Sequence, residues 1–325
     1  MKFALCNEMF ETRPMAEVCS VARKLGYHGL ELAPFTLAPT VMDISSHQRR
    51  ETRRIVADHG LEVVGLHWLF ARPTAGKDLP PLHLTTRDQA IWQRTRDYLA
   101  ALLDLCSDLG GKVLVLGSPK QRSILWENPK SESRNSKQAQ KPEIPNSKQG
   151  GAGDGVSVPG ASNFGFVSDF EFRNSSLYQG AWKRAVDLLA SVVERAGELG
   201  LTICFEPLAP VETNFINTVE EGMKLVREVN HPSLRIHLDV KAMCSEGKSV
   251  PAIIRSVKTK DVGHFHVNDP NLYGPGMGDV DYAPIAQAVR DLGYNKWLSV
   301  EPFKYDPDPE TVAKKSMECL KRFWP

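Results

Sequence analysis

LTICFEPL, residues 201–208, is an apolar run of strand length that carries a carboxylate, Glu206, near its C-terminal end. Three later runs repeat the arrangement: LRIHLDVKAM (234–243) carries Asp239, VGHFHVND (262–269) carries His266, and WLSVEPF (297–303) carries Glu301. Successive parallel strands end at the same edge, so we expect these four side chains to meet there. Three carboxylates and one imidazole at one place predict a divalent-metal site, and therefore an enzyme whose chemistry occurs there.

Runs of this kind recur along the whole chain and alternate with segments of helical spacing. Strands are predicted at 2–7, 29–35, 61–70, 112–118, 201–208, 234–243, 262–269 and 297–303, and helices at 14–25, 44–59, 87–109, 178–199, 217–229, 250–258, 283–292 and 309–323. Strands that helices cover on both faces read as continuous apolar runs, as LEVVGL (61–66) and KVLVLG (112–117) do. Eight such units predict a closed (β/α)8 barrel, a TIM barrel, formed by residues 1–325 as one domain.

One segment, residues 128–165, interrupts this rhythm. It is rich in Ser, Asn, Lys, Gln, Gly and Pro and has few side chains able to anchor a core. Because it follows strand four, it emerges at the C-terminal face, where barrel active sites are built. Composition favours a flexible, solvated insertion without a role in turnover. A mobile lid over the substrate is the alternative, since loops this long are usually either functional or disordered.

Composition limits the partners and the compartment. Hydrophobic residues make up 42% of the chain and charged residues 24%, which is enough for a substantial globular core. The net charge of +1 gives nucleic acids and anionic membranes little electrostatic attraction, so we expect a small-molecule partner. The six cysteines form no CxxC pair and the N-terminus lacks a signal-like apolar run, which together predict a cytoplasmic location.

The predicted ligand set is rich in oxygen, which favours one ion of Mn, Mg or Co. Zinc is less favoured, because its sites usually contain more nitrogen or sulfur ligands. Two further carboxylates, Glu8 and Glu31, end strands one and two. For these two we expect structural hydrogen bonds rather than ligation.

Strand alternation assigns faces to the neighbouring histidines. His264 shares a face with His266, and His237 shares one with Asp239. We expect His264 to contact the substrate or support a metal ligand, with a hydrogen-bonded place in the barrel interior as the alternative. For His237 the pattern favours the interior, one layer deeper than the site.

Glu206 and Glu301 lie on strands five and eight, so they can approach a bound substrate from different directions. One carboxylate can remove the proton beside a metal-polarised carbonyl, and the other can return it. This predicts isomerisation or epimerisation of an α-hydroxy carbonyl compound, with Glu206 and Glu301 as the catalytic residues.

Other strand ends offer substrate contacts. His67 and Trp68 end strand three, and a tryptophan face stacks well on a sugar ring; packing at the barrel rim is the alternative. Lys120 and Arg122 follow strand four within SPKQR. They could hold a phosphate or carboxylate, or they could be ordinary solvated loop charges.

Several motifs together resemble one family. They are FEPLAPVETNF (205–215), HLDV (237–240), GHFHVNDPN with GPGMGDVDY (263–282) and VEPF (300–303). The chain resembles the xylose-isomerase-like TIM-barrel superfamily, in particular its sugar phosphate isomerase/epimerase group with the D-tagatose and D-psicose 3-epimerases. The likeness covers nearly all of the chain outside 128–165. It implies that Glu206, Asp239, His266 and Glu301 bind one Mn, Mg or Co ion, that the two glutamates are the acid/base pair, and that the chain forms homo-oligomers.

The resemblance also bears on substrate recognition. Glu212 matches a family glutamate that hydrogen-bonds the substrate near its carbonyl end; a loop or capping role is the alternative. Ala242 and Leu272 stand where the ketose 3-epimerases carry a histidine and an arginine that contact sugar hydroxyls. These two departures from the family pattern indicate a ketose or keto-sugar derivative and argue against a free ketohexose.

Three other functions compete. A lyase or dehydratase acting on a keto-inositol or 3-keto-glycoside would use the same metal and base, followed by loss of a β-substituent. An endonuclease IV-like phosphodiesterase needs a multi-zinc cluster with more histidines, and the net charge of +1 disfavours DNA binding. A non-catalytic sugar-binding protein would not need paired glutamates.

Overall fold

The computed structural model of the protein describes residues 1–70, 82–124 and 169–325. Eight parallel strands close into a barrel in which each strand pairs with the next and the first pairs with the last. They are β1 Lys2–Cys6, β2 Gly29–Leu32, β3 Glu62–Leu66, β4 Val113–Leu116, β5 Thr202–Phe205, β6 Leu234–Asp239, β7 Val262–Val267 and β8 Trp297–Val300. The predicted (β/α)8 barrel is confirmed.

The helices follow the predicted order. They are α1 Met15–Leu25, α2 Ser46–Asp58, α3 Gln89–Leu109, α4 Asp169–Asn174, α5 Ser176–Glu198, α6 Val219–Val229, α7 Val240–Met243, α8 Val250–Arg255, α9 Tyr282–Leu292 and α10 Pro309–Phe323. The residue after α3 is Gly110, and a residue with a Cβ rarely adopts its φ of 85°. Its N–H donates to the carbonyls of Cys106 and Ser107. Glycine at this turn stops the helix and starts the approach to β4.

The strands are shorter than the apolar runs that predicted them. The third run was predicted to extend to residue 70, whereas β3 ends at Leu66. Residues beyond the strand stay buried without ladder pairing, as Leu69 and Phe70 do. Apolar composition indicates which residues are buried, but it does not show where hydrogen bonding to the next strand stops.

An apolar cluster fills the barrel below its C-terminal ends. It contains Ala4, Val64, Val113, Val115 and Cys204, with Trp297 packed against it. Cys204 precedes Glu206 by two residues and therefore lies on the same face of the strand. The polar residues at the C-terminal end of the barrel thus lie above these packed apolar side chains.

The chain forms two compact units: one contains Met1–Ile124 and Gly180–Pro325, with the whole barrel, and the other contains Leu125–Gln179. Only residues 169–179 of the second unit are described. There the Ser175 hydroxyl accepts a hydrogen bond from the N–H of Tyr178 at 3.2 Å, at the start of α5. The predicted insertion, 128–165, lies outside the described residues. No helix among the described residues is long and apolar enough to cross a membrane.

Candidate active site

The four predicted ligands stand at the C-terminal ends of the last four strands. Glu206 directly follows β5, Asp239 ends β6, His266 is the penultimate residue of β7, and Glu301 directly follows β8. Asp239 and His266 are paired in the ladder between β6 and β7. All four side chains are buried. Their common height follows from the parallel register of the barrel.

Three of these four side chains form one group, and the fourth lies next to it. Single ligand atoms of Glu206, Asp239 and His266 lie within 4.8 Å of one another, and a ring nitrogen of His237 belongs to the same group. Glu301 lies next to this group, because its Oε2 is 3.0 Å from Nδ1 of His266. Donors bound to one ion at about 2.0–2.3 Å are at most about 4.6 Å apart, which is close to the 4.8 Å limit within which Glu206, His237, Asp239 and His266 lie.

The charges of the cluster also fit a cation. Burial raises the pKa of Glu206 well above its usual range, and the nearby carboxylates of Asp239 and Glu301 raise it further. Burial likewise raises the pKa of Asp239, although Lys241 opposes the shift. Three buried carboxylates this close repel one another, and a bound divalent cation would offset that cost.

Two hydrogen bonds, one to each oxygen, hold the carboxylate of Asp239. Oδ1 accepts a hydrogen bond from the backbone N–H of Ala242 at 2.6 Å, and Oδ2 accepts one from Nδ2 of Asn268 at 2.8 Å. The Asn268 amide also donates to the carbonyl of Glu301 at 3.3 Å. Asn268 therefore ties the ends of β6 and β8 together, and sequence reasoning had overlooked it.

Glu31, at the end of β2, supports His266 from across the barrel. Nε2 of His266 lies 3.1 Å from Glu31 Oε1, and Nε2 of His264 lies 2.7 Å from Glu31 Oε2. Burial alone would raise the pKa of Glu31, but the charges of His266 and His264 outweigh burial and bring it well below its usual range. With Nε2 of His266 on Glu31, its Nδ1 is turned toward Glu301.

His264 is fully enclosed in the barrel. Besides Glu31, its Nε2 lies 3.0 Å from the hydroxyl of Ser299. Of the roles predicted for it, these contacts correspond to supporting a ligand from the interior, and they place the ring behind His266 rather than at the barrel mouth.

His67 lies behind Glu301. Its ring is completely buried, with Nε2 3.0 Å from Glu8 Oε2 and Nδ1 3.2 Å from Glu301 Oε1. Burial opposes its charge, but Glu8 and Glu301 outweigh burial and raise the pKa of His67 to about 10. Burial also raises the pKa of Glu301, and the stronger opposing effect of His266 and His67 lowers it to about 2. Each oxygen of Glu301 thus faces one imidazole.

Trp68 points the other way. Its φ of 50° lies in the left-handed region. The indole is 40% exposed, and the rings of Phe35 and Phe303 each lie 6.1 Å from it. Phe303 follows Glu301 by two residues. These three rings, which we call the aromatic wall, stand beside the ligand cluster.

Lys241 borders the same site, and sequence reasoning had not singled it out. Its Nζ lies 2.8 Å from Glu212 Oε1 and 4.9 Å from the centre of the Phe303 ring. Burial lowers the pKa of Lys241, but the charges of Asp239 and Glu212 outweigh it and raise the pKa. The available signal was a cation two residues after a ligand aspartate. Glu212, a predicted substrate contact, is thus next to the site through Lys241.

Arg122 and Lys120, predicted together, lie in different surroundings. Lys120 is exposed in a single 3-10 turn, Pro119–Gln121. Arg122 is fully buried, donates from Nη1 to the carbonyl of Glu206 at 2.7 Å, and lies 5.1 Å from the Phe205 ring. The structure therefore places this guanidinium against the backbone that carries Glu206. Its complete burial contradicts the solvated-charge alternative, and anion holding stays a prediction.

Leu272 occupies a strained position near the mouth. Its φ is 76°, and its carbonyl accepts hydrogen bonds from the N–H groups of Phe303 and Lys304 at 2.7 and 2.9 Å. The side chain is 37% exposed. An apolar side chain, held by backbone bonds to the segment after Glu301, thus takes a place where the resemblance implies a sugar contact.

Comparison with known proteins agrees with the barrel. The family model described as Xylose isomerase-like TIM barrel matches residues 19–323. The D-psicose 3-epimerase of Ruminiclostridium cellulolyticum is 34% identical over 125 residues, which are 38% of this chain and 42% of that relative. The chain thus matches this curated relative over less than half of its length.

Two solved structures share the fold. A D-psicose 3-epimerase with D-tagatose from Clostridium cellulolyticum H10 has a TM-score of 0.71 and 19% identity, covering 99% of this chain and 98% of that one. The 3-keto-D-glucoside 4-epimerase of E. coli has a TM-score of 0.71 and 17% identity, covering 99% of each chain. At these identities the likeness extends to the fold alone.

Proposed function

Because the chain belongs to the xylose isomerase-like TIM barrel family, we propose that it is a divalent-metal-dependent sugar isomerase or epimerase. The observation that carries this proposal is the convergence of Glu206, Asp239, His266 and Glu301 at one end of the barrel. Curated relatives matched over part of their length include D-psicose 3-epimerase and L-ribulose 3-epimerase, which catalyse reactions of this class.

In this proposal the four residues hold one ion of Mn, Mg or Co, with zinc less favoured. The ion would polarise the substrate carbonyl and so acidify the neighbouring C–H. Glu206 and Glu301 would remove and return the proton, passing through an enediolate. His67 contacts Oε1 of Glu301, which orients the carboxylate and leaves Oε2 beside the ligand nitrogen of His266.

The surroundings of the cluster indicate the substrate class. The aromatic wall offers a face for a sugar ring or an attached apolar group. The Lys241–Glu212 pair offers polar contacts beside it. With Ala242 and Leu272 in place of the family's hydroxyl contacts, we propose a ketose or keto-sugar derivative, for example a 3-keto-glycoside, as the small-molecule substrate.

A lyase or dehydratase is the second candidate. It is favoured by the same two positions, Ala242 and Leu272, because fewer fixed hydroxyl contacts leave room for a departing β-substituent. Proton abstraction would be unchanged, and only the fate of the enediolate would differ.

The location and assembly of the protein are part of the proposal. All six cysteines are free, which supports a reducing, cytoplasmic location. Association into homo-oligomers is carried by the family resemblance.

A substrate screen tests the proposed function. The Mn-loaded protein is incubated with ketoses, keto-sugars and their phosphates, and products are identified by mass spectrometry and NMR. An isomer of unchanged mass, formed by the wild type but not by Glu206→Gln, is expected. Loss of water or of an aglycone would favour the lyase. No conversion of any carbonyl sugar by the metal-loaded protein would contradict both functions.

A further inference from the structure

His237 stands out among the histidines of the barrel interior. It lies on β6 two residues before Asp239 and is completely buried. Within the described part of the chain, neither of its ring nitrogens has a hydrogen-bond partner. His67, His264 and His266, buried around it, each contact a carboxylate. A buried imidazole without a partner is costly, so its retention needs an explanation.

His237 pairs with His264 in the ladder between β6 and β7, so its backbone lies one layer below Asp239 and His266, as predicted. Its ring nevertheless reaches the ligand cluster. One of its nitrogens lies within 4.8 Å of ligand atoms of Glu206, Asp239 and His266. Its ring centre is 4.2 Å from that of His266, with the two planes at 80°. The 4.8 Å limit on the donor atoms is close to the span of about 4.6 Å that one ion bridges between two donors. A bound ion would give the otherwise unpartnered nitrogen its missing contact.

We propose that His237 supplies a fifth protein ligand to the ion held by Glu206, Asp239, His266 and Glu301. The inference rests on the proposed metal-dependent function and extends it. A second imidazole makes the donor set richer in nitrogen, which shifts the preference away from Mg and toward Co and other transition metals. Mn, which accepts both kinds of donor, remains compatible with the set.

Counting coordinated histidine nitrogens tests the proposal without measuring activity. The protein is labelled with 15N-histidine, loaded with Mn2+ alone, and examined by electron-nuclear double resonance. We expect couplings from two imidazole nitrogens in the wild type and from one in His237→Gln. The matched control is His231→Gln. His231 lies three residues before β6, and its Nδ1 accepts a hydrogen bond from the backbone N–H of Ser233. It should keep both couplings.

The possible failures are distinguishable. Bound Mn2+ with a single imidazole coupling in the wild type would overturn the role of His237 and leave the proposed metal site standing. A wild type that binds no Mn2+ would contradict the proposed function itself. The wild-type count decides the question even if His237→Gln fails to fold, which circular dichroism would reveal.

Metal titration gives an independent measurement. In His237→Gln we expect the dissociation constant for Co2+ to rise at least about tenfold, because removing even an outer partner of a ligand typically costs that much. The constant for Mg2+ should change less, since Mg2+ prefers oxygen donors. Equal changes for both ions, or none, would contradict the inference.

Discussion

The two halves of the barrel contribute differently to its C-terminal mouth. The last four strands supply the candidate ligands Glu206, Asp239, His266 and Glu301, while β1 to β3 are followed by or contain Glu8, Glu31 and His67. The residues of the first half contact ligands from behind: Glu31 reaches His266, and His67 reaches Glu301. The second half thus carries the candidate ligands, and the side chains named from the first half lie where they can orient them.

The largest effect is expected from the proposed catalytic carboxylates of the second half. Glu206→Gln keeps the size of the side chain but removes its ability to accept a proton. Turnover should fall by about 10²–10⁴-fold, the usual contribution of a positioned acid or base. Steady-state kinetics with the substrate found in the screen measure this, and circular dichroism checks the fold. A fall smaller than about tenfold would remove Glu206 from the proton-transfer pair.

Metal affinity should depend most on the second half. Asp239→Asn removes a charge and a ligand oxygen, so the dissociation constant for Mn2+ should rise by more than about 100-fold, beyond the usual cost of losing an outer partner. Calorimetric titration measures the change. Near-wild-type affinity would show that the ion is held elsewhere.

The supporting half should show a smaller effect of the same kind. Glu31→Gln leaves His266 in place but weakens the contact that orients it, so metal affinity or turnover should fall about 10–100-fold. The control is Glu62→Gln, an exposed carboxylate on β3 that pairs with Lys2. It should change neither quantity appreciably. If Glu31→Gln proved as damaging as Asp239→Asn, the division between the halves would be lost.

The smallest effect concerns stability in acid, without metal. The pKa of Glu301 is lowered to about 2, so its carboxylate contributes stability that is complete above its ordinary pKa of about 4.5 and is lost as pH falls toward 2. Removing the carboxylate in Glu301→Gln should flatten this decline. Denaturant titrations of both proteins between pH 5 and pH 2 measure it. Parallel declines would mean that His67 and His266 do not hold Glu301 in its charged form.

The strand ends that carry the candidate ligands could be predicted from the sequence, whereas the contacts that support them could not. Burial of strands on both faces produces continuous apolar runs, so the eight units and the strand ends carrying Glu206, Asp239, His266 and Glu301 were readable. The contacts of Glu31 with His264 and His266 join residues 233 and 235 positions apart. Such contacts arise only when the barrel closes.

Three particular side chains show the limit. Arg122, for which a solvated loop charge was one alternative, is buried and donates to the Glu206 carbonyl. Lys241 was overlooked because its partners, Glu212 and Phe303, come from two other loops. His237 lies one layer below Asp239, as expected, but its ring reaches the ligand cluster. Alternation gives the face of a side chain but not how far the ring extends along the barrel axis.

Solvent exchange tests the central claim most directly, that two carboxylates beside a metal ion move a proton next to a carbonyl. The Mn-loaded protein converts its substrate in deuterated water, and NMR reads the label in the product. We expect deuterium at the carbon next to the carbonyl, and none after chelation or in Glu206→Gln. A product formed equally well by the chelated protein and by Glu206→Gln, with no deuterium at that carbon, would contradict it.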